Sequence, residues 1–221
     1  MVLGISRETA DGTRERILDA ALDLFGERGP TGVTVRDIAS RAKVNVAAIS
    51  YHFGGKEELY RAVAEMVIGS IEARLRHRMA TLLDQPPSDP EAALAALETL
   101  AVTMVDVIIG PEEMRRVARF IIREQMQPTA AFEVIFSVMT RMHGAGTRLF
   151  ATAAGLDPDA RETQLRVFLL IGQVIFLRIG EEAIRRRLGL PRYDDEFLAG
   201  VKKLIQQNVR AMVAAAKEAA P

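Results

Sequence analysis

The sequence predicts an all-α chain of about nine helices, with a three-helix head at the N-terminus and a larger helical body behind it. Three observations carry this. Apolar residues recur at helical spacing along most of the 221 residues, and no alternation is long enough to demand a strand. The composition, 49% hydrophobic and without tryptophan, favours residues at home in helices over those at home in sheets. Helix starts and stops punctuate the chain at short intervals, and its length suits one large domain or two smaller ones.

Residues 1–12 read as a loose arm. Ile17, Ala21, Leu24 and Phe25 then mark a helix that stops near Gly29-Pro30. Thr34-Val35-Arg36-Asp37 has the form of a capping box and opens a short helix ending near Ala42-Lys43. Asn45 caps a third helix, Val46 to about Phe53, and Gly54-Gly55 breaks it. A long fourth helix starts at Lys56-Glu57-Glu58, its acids facing the positive helix end, and runs to about Leu83. Gln85-Pro86-Pro87-Ser88 reads as a linker before Asp89-Pro90, a cap and first-turn proline that begin helix five, to about Ile109. Gly110-Pro111 starts helix six. Pro128 starts helix seven, ending near Gly155, and Asp157-Pro158 opens helix eight, to about Arg186. After Gly189-Leu190-Pro191 a last helix spans about Asp195 to Ala216.

Three short helices and a long one, tightly joined between the second and third, are the arrangement that a DNA-reading helix-turn-helix needs. The outward candidates on the third helix are Val46, Ala47, Ala48 and Ser50, with Asn45 at its start; Ile49 and Phe53 face inward. Phosphate contacts are assigned to Thr34, Tyr51, His52 and Lys56, helped by helix-start amides and by Arg7 and Arg14. Arg36, Arg41 and Lys43 place further charge near the groove face. The surface is small and weakly polar, so DNA shape is expected to carry part of the specificity. Residues 1–60 hold eight basic and nine acidic side chains, so the head is not broadly basic. The competing reading is a plain helical bundle, a protein-binding adaptor, in which Tyr51 and Phe53 are ordinary aromatics and Lys56 a solvated charge.

Other classes find little support. The chain has no cysteine, which removes disulfides, thiolate metal sites and a cysteine nucleophile and fits a reducing compartment. The three histidines, His52, His77 and His143, have no metal-ligand spacing, and there is no GxSxG elbow or glycine-rich phosphate loop. No enzyme activity, cofactor or metal is expected. Paired acids such as Glu112-Glu113 and Glu181-Glu182, and the run Arg185-Arg186-Arg187, read as solvated surface. No long apolar run precedes the charges from Arg7 to Arg16, so no signal peptide is expected. Val167 to Ile179 is too short and too interrupted for a bilayer and reads as a buried helix.

The head residues also resemble a known family. Arg16-Ile17-Leu18-Asp19-Ala20-Ala21-Leu22-Asp23-Leu24-Phe25, Gly29, Thr34-Val35-Arg36-Asp37-Ile38-Ala39, Val44 and Ser50-Tyr51-His52-Phe53-Gly54-Gly55-Lys56-Glu57-Glu58-Leu59-Tyr60 are similar to the N-terminal domain of TetR-family repressors. The resemblance implies phosphate contact or bracing at Thr34, Tyr51, His52 and Lys56, and base contact from Asn45 to Ser50. Ser50 stands where the family more often has tyrosine. In the body, Phe120-Ile121-Ile122-Arg123-Glu124-Gln125-Met126-Gln127-Pro128-Thr129, Ile171 to Gly180 and Arg187-Leu188-Gly189 resemble the CecR-like subgroup. That implies nine helices, a homodimer on a pseudo-palindromic operator, control of efflux or transport genes, and a cytoplasmic bacterial protein found at the nucleoid when bound to DNA. It leaves repressor, activator and dual regulator open.

The resemblance divides the chain into a DNA-binding domain, 1–60, and an effector-binding and dimerisation domain, 61–221. It implies that the last two helices pair across the dimer, with Phe168, Gly172, Ile175, Phe176 and Ile179 on helix eight and Leu198, Val201, Ile205 and Val209 on the last. A pocket for an unidentified small molecule is expected among helices five to eight. Met104, Phe120, Met126, Phe136, Met139 and Phe168 form its apolar wall. Arg123, Gln125, His143, Gln173 and Arg178 are its polar groups. Arg123 and Glu124 have an equally simple role in tying helices together, and His143 in satisfying a structural contact. The long fourth helix is the expected lever between pocket and head.

Overall fold

A computed structural model describes residues 4–84, 87–109 and 113–219, with side chains described for 12–74, 87–109 and 113–219. The side chains of Arg7 and His77, and the Gly110-Pro111-Glu112 step, lie outside the described residues. Among those described there are ten α-helices: α1 (Gly4–Arg28), α2 (Val35–Ala42), α3 (Val46–Phe53), α4 (Lys56–Asp84), α5 (Pro90–Ile108), α6 (Glu113–Met126), α7 (Phe132–Ala154), α8 (Arg161–Ile179), α9 (Glu181–Leu188) and α10 (Asp195–Glu218). The expected loose arm is instead the first part of α1.

The count exceeds the expectation because helix eight breaks at Gly180. Its N–H closes α8 on the Phe176 carbonyl at 2.7 Å, and a Cβ there would meet the Phe176 oxygen at 3.1 Å and its ring at 3.2 Å. Helix seven starts at Phe132, later than expected, because Thr129 is held elsewhere. Its hydroxyl and amide donate to the Glu124 carboxylate at 3.0 and 3.2 Å, and its hydroxyl oxygen accepts from the Ala131 amide at 3.1 Å. The segment before α7 is thereby a turn anchored on α6.

The helices form two compact units, Met1–Ser70 with Arg116–Ser137, and Ile71–Arg115 with Val138–Pro221. Thus the unit holding the head also takes in most of α6 and the start of α7, which a division at residue 60 leaves out. Helices α4, α6 and α7 each run from one unit into the other.

In the first unit, Ile17, Phe25, Ile38, Ile49, Leu59, Val63 and Phe120 are fully buried. Phe25 meets Tyr60 edge-on at 4.8 Å between ring centres, and Phe120 of α6 lies 5.2 Å from the same ring. The Tyr60 hydroxyl donates to the buried Glu124 carboxylate at 2.5 Å. The end of α1 is closed by α6: Arg123 donates to the carbonyls of Gly26 and Glu27 at 3.3 and 2.9 Å, placing a cation where a helix C-terminus favours one. Gly29, at φ +72°, admits this close approach; a Cβ there would lie 2.8 Å from Arg123 Nη1. Arg116 adds ion pairs to Asp23 at 2.5 Å and Asp19 at 2.8 Å.

In the second unit, one face each of α5, α7, α8 and α10 builds the core, around Leu97, Leu100, Phe150, Val167, Val209 and Val213. Arg178, buried on α8, caps α5 by donating to the carbonyls of Ile108 at 2.7 Å and Ile109 at 2.6 Å, and pairs with Glu181 at 3.0 Å. Glu181 also accepts from Arg115, in the first turn of α6, at 2.7 Å.

Candidate nucleic-acid interface

The second and third helices are fixed by their own caps. Thr34 Oγ1 accepts from the Asp37 amide at 3.1 Å while Asp37 accepts from the Thr34 amide at 2.8 Å. The Thr34 hydroxyl also donates to Asp37 at 2.7 Å, and these bonds from Thr34 hold the Asp37 carboxyl below its ordinary value. The helix ends at Lys43, whose left-handed backbone (φ 55°) sends its N–H to the carbonyls of Ala39 and Ser40. That turn leads directly to Asn45, whose side chain accepts from the Ala47 amide at 2.8 Å and opens α3.

Only Ile49 of α3 is buried. Val46, Ala47, Ser50 and Tyr51 are exposed, and Ala48 and His52 are half-buried. Tyr51 is 84% exposed and meets His52 edge-on at 5.0 Å. Phe53 is half-buried, with the Arg14 guanidinium 5.2 Å from its ring centre, so α1 holds a cation against the end of α3. Arg36 and Lys43 are exposed beside the same turn. The structure therefore brings Arg36, Lys43 and the residues from Asn45 to Tyr51 together around one short helix.

Two of the expected contacts are spent inside the head. The Lys56 ammonium donates to the carbonyls of Pro30 at 2.9 Å and Val33 at 3.1 Å, tying the start of α4 to the turn after α1. Its position is that of an internal brace. Asn45 Oδ1 is turned back onto its own helix, which removes the acceptor half of a paired contact with adenine. The lysine's role was not legible in the sequence because its carbonyl partners lie more than twenty residues away.

The expected pocket residues fall in both units. Phe120, Arg123, Gln125, Met126 and Phe136 belong to the first unit; Met104, Met139, His143, Phe168, Gln173 and Arg178 belong to the second. Phe120 is fully buried, Arg123 is engaged with α1, and Arg178 with α5, which withdraws all three from a ligand wall. Gln173 accepts from Asn208 at 2.7 Å. His143 stacks on Phe168 at 3.8 Å and lies 3.1 Å from the Gln164 carbonyl through Nε2. Met126 and Phe136 are exposed, and Met104 packs against the core of the second unit.

The expected dimer residues divide in a different way. Phe168, Phe176 and Ile179 are more than half exposed, Gly172 faces open space, and Ile175 is half-buried. Leu165 and Leu169, 53% and 63% exposed, extend the same face and were missed. The segment Val167–Ile179 is thus buried on one face only. On α10 the expected stripe packs inward: Val201, Ile205 and Val209 are buried within the chain's own core, and Leu198 packs against it. Gly200 and Leu204 face outward instead, and the alternation of apolar pairs along α10 had two faces to offer.

Among the described residues, no group of His, Asp and Glu is placed to hold a metal ion, and no single helix is long and apolar enough to cross a membrane.

Residues 17–63 match the family model for bacterial regulatory proteins of the tetR family, and residues 93–216 match that for the C-terminal domain of the HTH-type transcriptional dual regulator CecR. The chain is 34% identical over 200 residues to the HTH-type transcriptional dual regulator CecR of Shigella flexneri, covering 89% of this chain and 87% of that protein. It is 39% identical over 97 residues to the HTH-type transcriptional repressor NicS of Pseudomonas putida, covering 42% of each. The crystal structure of HlyIIR, a hemolysin II transcriptional regulator, shares the fold at a TM-score of 0.59 and 22% identity, covering 91% of this chain and 97% of that one. The capped helix-turn-helix, the bare face of α3 and these matches over both parts of the chain have one meaning: this chain belongs to the TetR family of helix-turn-helix transcriptional regulators, with a C-terminal domain of the CecR type.

Proposed function

We propose that the protein is a cytoplasmic, ligand-responsive repressor that binds a pseudo-palindromic operator as a homodimer, found at the nucleoid when bound, and that it controls genes for efflux or transport. It performs no catalysis. Residues 1–60 form the DNA-binding domain and residues 61–221 the effector-binding and dimerisation domain.

The observation that carries the reading is the outer face of α3, where Val46, Ala47, Ser50 and Tyr51 are exposed while the helices around it are capped and braced. Base contact comes from Val46, Ala47, Ala48 and Ser50. Phosphate contact comes from Arg36, Lys43, Tyr51 and His52, from Arg14 held over Phe53, and from the amide end of α2 at Thr34. The homodimer is supported by α8, where Leu165, Phe168, Leu169, Phe176 and Ile179 leave an apolar face uncovered with Gly172 among them. A glycine there lets a second helix come close, and a two-fold pair of heads suits an inverted repeat. The effector acts by linkage, favouring one arrangement of the heads. Helix α6 joins α4 as a route for that coupling: its first turn is tied to Glu181 through Arg115 and its later turns to α1 and α4.

Selection of bound DNA from a random pool tests the reading. Two inverted half-sites about one helical turn or a multiple apart are expected. A folded chain that retains no duplex points to a protein-binding adaptor. The name of the Shigella flexneri relative, a dual regulator, favours a second reading in which the same operator contact also activates. Transcription measured from promoters bearing the selected site separates the two.

A further inference from the structure

The base-facing end of α3 has an unusual chemistry for a DNA reader. In a helix-turn-helix the first residues of the recognition helix meet the base edges. Here those residues are Val46, Ala47 and Ala48, and the helix from Val46 to Phe53 carries no Arg, Lys, Gln or Asn. The asparagine before it has its Oδ1 bound to the Ala47 amide. The paired hydrogen bonds that select guanine or adenine are therefore missing from this surface. Ser50 offers one hydroxyl that both donates and accepts, which by itself selects no base.

What the surface does offer is apolar area. Val46 is 40% exposed and Ala47 is exposed. In the major groove one base carries a matching group, the C5 methyl of thymine. We propose that Val46, Ala47 and Ala48 read the operator through thymine methyls, so that the half-site is specified under α3 by thymines and not by guanines. This rests on α3 being the helix that enters the groove. The polar and charged residues nearby, Arg36, Lys43 and Tyr51, then hold the backbone and fix the register.

The methyl can be removed without changing base pairing. In the duplex selected by the full chain, each thymine is replaced in turn by uracil. Covering one methyl is equivalent to roughly 0.8 kcal/mol, so one or two positions per half-site lose about fourfold in affinity. Replacing the same position in both half-sites multiplies the loss to about fifteenfold. Restoring the bulk with 5-bromouracil recovers the binding. In Val46→Ala and Ala47→Gly the penalty for uracil shrinks at the position each side chain covers, whatever the variant's own affinity. The uracil series on the unaltered protein needs no variant to fold. Bound DNA with no uracil-sensitive position, or with invariant guanines under α3, overturns the proposal while leaving DNA binding intact. So does a uracil penalty that all three substitutions, Ala48→Gly included, leave unchanged. A chain that selects no DNA overturns the groove-binding reading, and this inference with it.

Discussion

The two sides of the head are built on opposite principles. Toward α6, charged groups are matched almost one to one: Arg116 with Asp19 and Asp23, Arg119 with Glu27, Arg123 with the last carbonyls of α1, and buried Glu124 with Tyr60 and Thr129. Toward α3, side-chain polarity is either folded back onto the backbone, as at Thr34, Asn45 and Lys56, or left facing outward, as at Arg36, Lys43 and Tyr51. The α6 side encloses the buried Glu124 carboxylate, which must find its partners within the chain. The α3 side leaves Arg36, Lys43 and Tyr51 exposed, as the proposed contact with DNA requires. The proposed recognition helix is thus held by backbone caps and one buried isoleucine, while α6 carries the density of bonding.

The largest effect is expected on the bonded side. Glu124→Ala leaves the buried Tyr60 hydroxyl and the half-buried Thr129 amide without their acceptor and should cost about 3 kcal/mol, read as a fall in Tm of roughly 6–12 °C. Next comes Lys56→Met, which keeps the stem and deletes the ammonium from two carbonyls. It should lower stability by about 2 kcal/mol, because the brace between α4 and the turn after α1 is lost. If Lys56→Met leaves denaturant unfolding unchanged but weakens DNA binding, the lysine is a phosphate contact and the contrast between the two sides fails there.

On the open side, Arg36→Ala with Lys43→Ala should leave Tm within about 2 °C of the parent and reduce operator affinity by roughly 10- to 100-fold. The slope of log affinity against log salt should fall by about 2 as two phosphate contacts disappear. Lys43→Gly sharpens this, since it relieves a left-handed backbone on a non-glycine residue. It should raise stability by about 1 kcal/mol while still weakening DNA binding.

The smallest effect appears only in alkali. Burial, then the bond to Glu124, pushes the Tyr60 phenol well above its ordinary value. In the unfolded chain the phenol ionises near pH 10, whereas in the folded chain it stays protonated to higher pH. This contribution is therefore intact below about pH 10 and declines as the pH rises beyond it. Tyr60→Phe should show a shallower loss of Tm between pH 9 and 11 than the parent protein; equal slopes would place the alkaline sensitivity elsewhere.

Much of the helix order was legible because its signals are local. Thr34 and Asp37, Asn45, and Asp89 with Pro90 each set a helix start through groups within one turn, and the structure has those caps where the spacing puts them. The candidate recognition face was legible for the same reason: on an eight-residue helix, only Ile49 lies deep enough to be buried. Where local signals tied, the reading failed. Helix α10 carries two apolar stripes, and the one chosen for the dimer, through Val201, Ile205 and Val209, is the one that packs inward.

Sequence alone, then, determined the helical class, the capped helix-turn-helix and the small apolar surface of α3, since propensity, periodicity and capping act over a few residues. Only the tertiary structure decided that α6 belongs with the head, that Lys56 is a brace, that Arg123 and Arg178 close the ends of other helices, and which face of α10 is outward. Those outcomes depend on long cations finding carbonyls twenty to a hundred residues away and on one apolar face winning burial over another. Such choices are made by the packed chain as a whole, where an unpartnered buried charge costs more than any local preference can offset.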